Sequence, residues 1–380
     1  MKVLFFSHSS ALGGAERCYY ESVIALTQQG IEVVCVLPDK GRLYCLLLDK
    51  GITVYIMKNP WWMVHWKTSF LSVLKNLYNL LVSSVKAIWL IRKVKPSAVV
   101  TNTMVIPSGA IAAKLCGIKH LWYIHEFGVE DHGFKMLYGR NNSFNMINYL
   151  SDIILVNSKV MKEFVKDKIK NKPIELLYYV VEIDRSLLSY VEANSGHVKN
   201  DDVLKILMPS RVSKNKRQID AIDAVRILRN TGKSVELLIL GDTNSSYSSF
   251  IKKFIFEHDL DSVITILPFV DEPLNYFLEA DMILMCSTNE AFGRITIEAM
   301  KMGKCVIGAN AGATAEIIED GVTGFLFEPK QAEDLAQKIA YVANHKEVIA
   351  KVSKAGSKWA YDHCSSEVHG KEFAAYIYNS

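Results

Sequence analysis

The sequence lacks the marks of several large protein classes. No C-x-x-C pair occurs among its seven cysteines (Cys18, Cys35, Cys45, Cys116, Cys286, Cys305 and Cys364), and the count is odd. That argues against a zinc ribbon or a disulfide framework, and reads as thiols in apolar surroundings in a reducing compartment. Charge of one sign is not in surplus: 44 basic residues face 40 acidic ones, a formal net charge of +4. A nucleic-acid binder shows a concentrated basic footprint, so no nucleic-acid partner is expected. The opening "MKVLFFSHSS" has an apolar run of only four residues, too short for the core of a secretory signal. Phe70 to Ile91, the most apolar later stretch, is broken by Lys75, Asn76, Asn79 and Lys86 and does not read as a span. The expectation is a cytoplasmic protein, with association at the inner face of the cell membrane left open. There is no low-complexity tract, no short-period repeat, no G-x-G-x-x-G and no D-x-D after a strand end.

What is there is alternation. "KVLFFS" has the length and apolarity of a buried strand, "HSSALGGAE" that of a turn, "ERCYYESVIALTQQ" that of a helix, and "IEVVCVL" that of a second strand. This is a βαβ unit. "SAVVTN", "HLWYIHE" and "SDIILVNS" continue the series, with helices over "PSGAIAAKLCG" and "KVMKEFVKDKI". Apolar strands alternating with helices predict a parallel sheet covered on both faces. The rhythm stops at 191–202, "VEANSGHVKNDD", which reads as a linker. It resumes with "LKILMPS", "VELLILGD", "VITILPFV", "DMILMCS" and "KCVIGAN". With 380 residues, half of them hydrophobic, the chain predicts two α/β Rossmann-like domains, at 1–190 and 203–358. A terminal helix at about 360–380 is expected to return to the first domain.

Ligands of open α/β sheets bind beyond the carboxyl ends of strands, so the residues there are the informative ones. After the first strand, Gly13 and Gly14 open a helix, where backbone amides suit a phosphate; an ordinary βα turn also places a glycine there. After "LKILMPS" stand Arg211 and Lys216, two cations able to clamp a diphosphate. Lys214 and Arg217 read as solvated. After "DMILMCS", Glu290 lies in a loop, Phe292 and Gly293 make a turn, and Arg294 begins a helix that carries Glu298. Amides at 293–295 would face an anion, and two carboxylates offer acceptors for sugar hydroxyls. A hydrolase with two carboxylates about one glycosidic bond is the competing idea; a helix-terminal acid beside an exposed glutamate is the plain one. His125 and Glu126 end the strand "HLWYIHE", where a histidine can face a ligand or be satisfied within the core.

"SRVSKNK", "LLILGD", "EADMILMCSTNEAFGRITIEAM" and "GANAGATAEIIEDGVTGFLF", with the "LGGAE" turn and the "YIHE" strand end, resemble the family 4 glycosyltransferases. The E-x7-E pattern is Glu290 to Glu298. The resemblance implies a GT-B fold, two Rossmann-like domains with parallel sheets facing across a cleft. It implies retaining transfer of a sugar from a nucleotide-sugar donor to a glycan acceptor, without a metal or other cofactor. By it, Arg211 and Lys216 hold the donor diphosphate. Glu298 accepts from the ribose, Glu290 binds the transferred sugar, and amides near Phe292, Gly293 and Arg294 lie by the phosphate and sugar. Gly14 contacts the diphosphate, and His125 stands near the reacting centre; His125 and Glu290 are the expected catalytic residues. Three positions depart from the family pattern. Arg217 follows the clamp lysine where glycine is frequent, Ala291 precedes Phe292, and a glycine pair appears as Ala311-Gly312. A small soluble acceptor, an epimerase or phosphorylase on the same plan, and an inert sugar-nucleotide binder are the other readings.

The stretch 60–95 mixes Trp61, Trp62, Trp66 and Trp89 with Lys67, Lys75, Lys86, Arg92, Lys93 and Lys95 among leucines. It suits either peripheral membrane contact, bringing the protein to a lipid-linked acceptor of bacterial surface-polysaccharide synthesis, or a core helix pair whose lysines reach outward.

Overall fold

The computed structural model describes residues 1–64, 69–128, 135–183, 187, 203–270 and 273–378. The chain divides into two compact units: Met1–Val181 with Cys364–Ser380, and Glu182–His363. The linker expected at 191–202, with Trp66, Lys67, Asp271 and Glu272, lies outside the described residues.

The first unit is built on a parallel sheet of seven strands: β1 (Lys2–Phe6), β2 (Glu32–Leu37), β3 (Thr53–Ile56), β5 (Ala98–Asn102), β6 (Lys119–Ile124), β8 (Ile153–Val156) and β9 (Ile174–Leu176). Their spatial order is β3-β2-β1-β5-β6-β8-β9. β4 (Met63–Val64) and β7 (Lys135–Met136) form a separate antiparallel pair. The central strands are apolar on both faces because helices cover both, so β1 buries Val3, Leu4, Phe5 and Phe6 alike. β1 pairs with β2 on one side and β5 on the other. The strand order therefore reverses at β1/β5, and the loops after these strands diverge there.

The last helix, Ser366–Tyr378, belongs to this unit and lies on the helix Gly14–Gln28. Approach is close because Gly370 has no side chain: a Cβ there would stand 2.6 Å from the Ala25 carbonyl oxygen. Phe373 meets Phe5 and Tyr123 with ring centroids 5.9 Å apart in each case. The His369 Nδ1 lies 2.6 Å from the Tyr178 carbonyl, and burial pushes that imidazole down to about 4.

The second unit has a six-stranded parallel sheet: β10 (Leu204–Pro209), β11 (Val235–Asp242), β12 (Ile264–Pro268), β13 (Met282–Met285), β14 (Cys305–Ala309) and β15 (Phe325–Phe327), in the order β12-β11-β10-β13-β14-β15. Its core joins Ile206, Met208, Leu237, Ile239, Leu284 and Ile307 of the sheet to Ala221, Val225 and Leu228 of the helix Gln218–Asn230 and to Leu335 and Ile339 of the helix Ala332–Asn344. Here the order reverses between β10 and β13, which pair directly through Ile206 with Met282 and Leu207 with Ile283. The loops after β10 and β13 thus leave adjacent strand ends.

Among the described residues no helix is long and apolar enough to cross a membrane. Trp62, in the stretch that suits either membrane contact or a core, is fully buried. It stacks on Trp122 at 5.8 Å and donates its indole N–H to the Met104 carbonyl. Among the described residues of the first unit, the helix Phe70–Val94 is the longest, at 25 residues.

Candidate active site

In the second unit the two loops at the β10/β13 reversal are stitched together. After β10 the chain runs through Arg211 into a single 3-10 turn, Lys214–Lys216, and then into the helix Gln218–Asn230. Lys216 Nζ donates to Glu290 Oε2 at 2.6 Å. Two weaker ties run alongside: the Ser287 hydroxyl and the Thr288 amide both reach the Asn215 carbonyl at 3.4 Å. The cation expected to hold a diphosphate and the carboxylate expected to hold a sugar are therefore one ion pair here, part-exposed on both sides.

Arg211 is exposed, and its backbone is positioned by two residues that sequence reasoning did not single out. Gly241, near the end of β11, has φ +107, and a Cβ on it would stand 2.9 Å from the Arg211 Cα. The Val212 amide donates to the Gly241 carbonyl at 2.8 Å. Gln218 is fully buried and spans the loop from beneath. Its Nε2 donates to the Arg211 carbonyl at 3.1 Å and the Ser210 hydroxyl at 3.0 Å, while its Oε1 accepts from the Ser213 amide at 3.3 Å. The signal for Gly241 was present in "LLILGD", a glycine at a strand end; a buried glutamine opening a helix leaves no such trace.

Arg217 differs from its expected solvated role. It adopts the left-handed conformation (φ 52, ψ 45) and grips Asp220 with two N–H···O bonds of 2.6 Å each. The hydrogen bonds to Asp220 raise its guanidinium pKa further. The left-handed turn explains why glycine is frequent at this place. In this chain an arginine occupies it, and the Asp220 ion pair offsets the backbone cost.

After β13, Phe292 is buried and Gly293 caps the helix Arg294–Lys301 in the left-handed region, φ 85 and ψ 51. The first amides of this helix have no intrahelical acceptor, which is the basis for placing an anion against residues 293–295. Glu298 sits one turn in and is nearly buried. Its Oε1 accepts from Arg294 Nε at 2.8 Å. Gly312 presses on Glu290 from the loop after β14. Its φ is +55, and a Cβ would meet both the amide nitrogen and the carbonyl oxygen of Glu290 at 2.8 Å. The Ala313 amide donates to the same carbonyl at 2.8 Å. Of the pair Ala311-Gly312, glycine is kept at the position with positive φ, while Ala311 is not among the positive-φ residues.

Two further titratable groups near these loops are set by burial or by ion pairing. Burial pushes the Cys286 thiol far above its ordinary range, so it is no nucleophile. Burial would raise Asp242, but hydrogen bonds from Lys252 and Ser248 outweigh it and hold the carboxyl at about 2.

In the first unit, Gly14 is the first residue of the helix Gly14–Gln28, and Gly13 is its cap. Glu16 folds back to accept from the Gly13 amide at 3.0 Å and lies 3.6 Å from His8 Nε2. Gly14 is exposed, has no positive φ, and a Cβ on it would meet nothing within 4 Å. Neither strain nor crowding within this unit demands glycine there. His125 follows β6 and is nearly buried. Its Nε2 lies 3.1 Å from Asn102 Oδ1 and its Nδ1 3.2 Å from Glu126 Oε2. Glu126 in turn accepts from the Met104 amide at 2.7 Å, and Tyr123 and Tyr179 wall the ring at 5.8 and 5.4 Å. The imidazole is thus held in one orientation by a network spanning the ends of β5 and β6.

Two family models match the chain. "Glycosyltransferase Family 4" covers residues 12–185, and "Glycosyl transferases group 1" covers 192–359. Among curated proteins, the capsular polysaccharide biosynthesis glycosyltransferase CapM of Staphylococcus aureus is 22% identical over 57% of this chain and 52% of its own. The chain thus spans about half the length of this relative, and 32% of the sulfoquinovosyl transferase SQD2 of Arabidopsis thaliana. Among solved structures, Anabaena HepE in complex with UDP superposes with a TM-score of 0.78 at 21% identity, covering 99% of each chain. A glycosyltransferase from Rickettsia africae superposes with a TM-score of 0.79 at 23% identity, covering 100% of this chain and 99% of that one. Both likenesses extend over two Rossmann-like domains, the GT-B fold. With both family models matched in sequence order, and Arg211, Lys216, Glu290 and Glu298 at one strand-order reversal, the chain belongs to the family 4 glycosyltransferases.

Proposed function

We propose that the chain transfers a sugar, with retention, from a nucleotide-sugar to a lipid-linked glycan acceptor in bacterial surface-polysaccharide synthesis. The observation that carries this reading is the Lys216–Glu290 ion pair at the β10/β13 reversal, beside Arg211 and the amide-bearing start of the helix Arg294–Lys301. The HepE neighbour is described in complex with UDP, and the CapM relative acts in capsule synthesis. These support a nucleotide-sugar donor and a surface-glycan product.

In this mechanism the donor diphosphate draws Lys216 away from Glu290. The lysine and Arg211 then face the phosphates, and the freed carboxylate accepts from hydroxyls of the sugar. Glu298 takes the ribose. As the anomeric C–O bond breaks, its electron pair goes to the diphosphate. The two cations and the amides at 293–295 stabilise that charge. The acceptor hydroxyl forms the new C–O bond on the same face and passes its proton to the departing phosphate oxygen. Metal is unnecessary in this scheme because side-chain cations serve the leaving group. The family resemblance would give Gly14 a role toward the diphosphate and His125 one toward the reacting sugar; within its own unit His125 is fixed by Asn102 and Glu126.

The test is a thermal-shift panel of UDP-, GDP- and ADP-sugars, followed by turnover assays on Arg211→Ala and Lys216→Ala. One sugar nucleotide should stabilise the protein, and each substitution should cut turnover by about a hundredfold or more, as removal of a charge-stabilising donor does elsewhere. Normal turnover in the double variant would overturn the reading.

A further inference from the structure

The geometry points to the helix Phe70–Val94 as a docking surface for an anionic lipid bilayer, lying flat on it along the row Leu71, Leu74, Tyr78, Leu81, Val85 and Trp89. These side chains are 46–75% exposed, and Leu77 beside them is 45% exposed. Their spacing of three and four residues places them in one stripe, about 120° wide and about 27 Å long at helical geometry. The opposite side carries Leu80, Ser83, Ser84, Ala87, Leu90 and Ile91, all buried. The helix is therefore apolar on two sides, and its own fold uses only one. A stripe of this size on a water-facing helix marks an interaction surface.

Charge selects the occupant. Between residues 70 and 95 there are five cations, Lys75, Lys86, Arg92, Lys93 and Lys95, and no acidic residue. All five are exposed. On the helical wheel Lys75, Lys86 and Lys93 form a single row along one border of the stripe. Lys93 also stands 5.0 Å over the Trp89 ring, an amphipathic pair suited to a headgroup boundary. An apolar stripe with a cationic border and no acids is the pattern of an interfacial helix, and each cation near an anionic surface strengthens binding about fivefold. Trp61 and Trp62 do not belong to the stripe. Trp62 is core, and the Trp61 indole donates to the His8 carbonyl. The inference gives the lipid-linked acceptor reading a surface, and rests on that reading only for its purpose.

The experiment is flotation of the whole chain, without donor, on vesicles of phosphatidylcholine alone or mixed equally with phosphatidylglycerol. The protein should float with the mixed vesicles and little with the neutral ones. Replacing Leu74, Leu81 and Trp89 together by Ser should lower partitioning more than tenfold. Lys86→Gln with Lys93→Gln should lower it about 25-fold on mixed vesicles only. All five side chains are exposed, so folding should be kept, with an unchanged melting temperature as the control. Equal flotation of parent and triple-Ser variant would overturn the inference. So would absence of flotation, or a dimer in solution that the triple-Ser variant dissolves, which would assign the stripe to a second copy of the chain. Nucleotide-sugar binding is measured separately, so loss of flotation with binding intact removes the surface and leaves the transfer reading standing.

Discussion

Glu290→Gln tests the partner exchange at the centre of the proposed mechanism. The Lys216–Glu290 pair spans 2.6 Å, with the two side chains 27% and 16% exposed. Coulomb attraction at that separation is large in a dry interior, but solvent reaches both groups. The net worth of the pair is therefore about 1 kcal/mol, the upper end for exposed pairs. A diphosphate that recruits Lys216 must give up that amount. The glutamine removes the competing charge while keeping the shape, so a nucleoside diphosphate without sugar should bind about fivefold tighter to the variant. The full nucleotide-sugar loses a charged acceptor for its hydroxyls, about 1.5–3 kcal/mol, and gains back the same roughly 1 kcal/mol, so it should bind about twofold to thirtyfold more weakly. Calorimetric titration of both ligands against parent and variant reads the two effects with opposite signs. Equal weakening of both ligands would refute the exchange, because it would mean that Glu290 only holds the loop in place.

Gly241→Ala should lower stability by about 1–3 kcal/mol, since φ +107 is a glycine conformation and the new Cβ would press on the Arg211 backbone 2.9 Å away. Donor KM should rise with it, read by thermal melts and initial rates. Acid should weaken the first unit through His369, whose folded value of about 4 lies below its ordinary 6.5 because burial disfavours the charged form. The sign is fixed: the neutral ring costs nothing above pH 6.5, and stability falls as pH drops from there toward 4, by about 3 kcal/mol in all. His120, pushed down to about 3 by burial, adds its own loss over the same range and carries it on toward pH 3. Denaturant midpoints across this range should decline less steeply in His369→Gln; parallel declines would exclude the histidine.

The architecture was largely legible because parallel strands covered on both faces announce themselves as unbroken apolar runs, as "KVLFF" and "MILM" do. The short strands β3, β9 and β15 escaped that signal. Burial at Thr53–Ile56 and Ile174–Leu176 is only partial, and three or four residues give periodicity little to act on. Around the candidate site, side-chain identity pointed to Arg211, Lys216, Glu290 and Glu298. It could not show that two of them are already paired with each other, nor that Gln218 and Gly241 set the Arg211 loop, since backbone support depends on contacts far apart in sequence. The stretch 60–95 stayed open between membrane contact and core for a related reason. Its tryptophans divide, Trp62 in the core and Trp89 in the water-facing row, and that division becomes visible only when burial is known.

The helix Ser366–Tyr378 fills its place in the first unit from the far end of the chain. On the ribosome, then, Phe5 and Tyr123 must wait for a partner made nearly two hundred codons after the rest of their unit. A fragment ending at Val181 would carry that gap permanently, presenting sticky apolar side chains to every neighbour. Anyone wishing to produce this half by itself should splice 364–378 onto it rather than simply stop translation early.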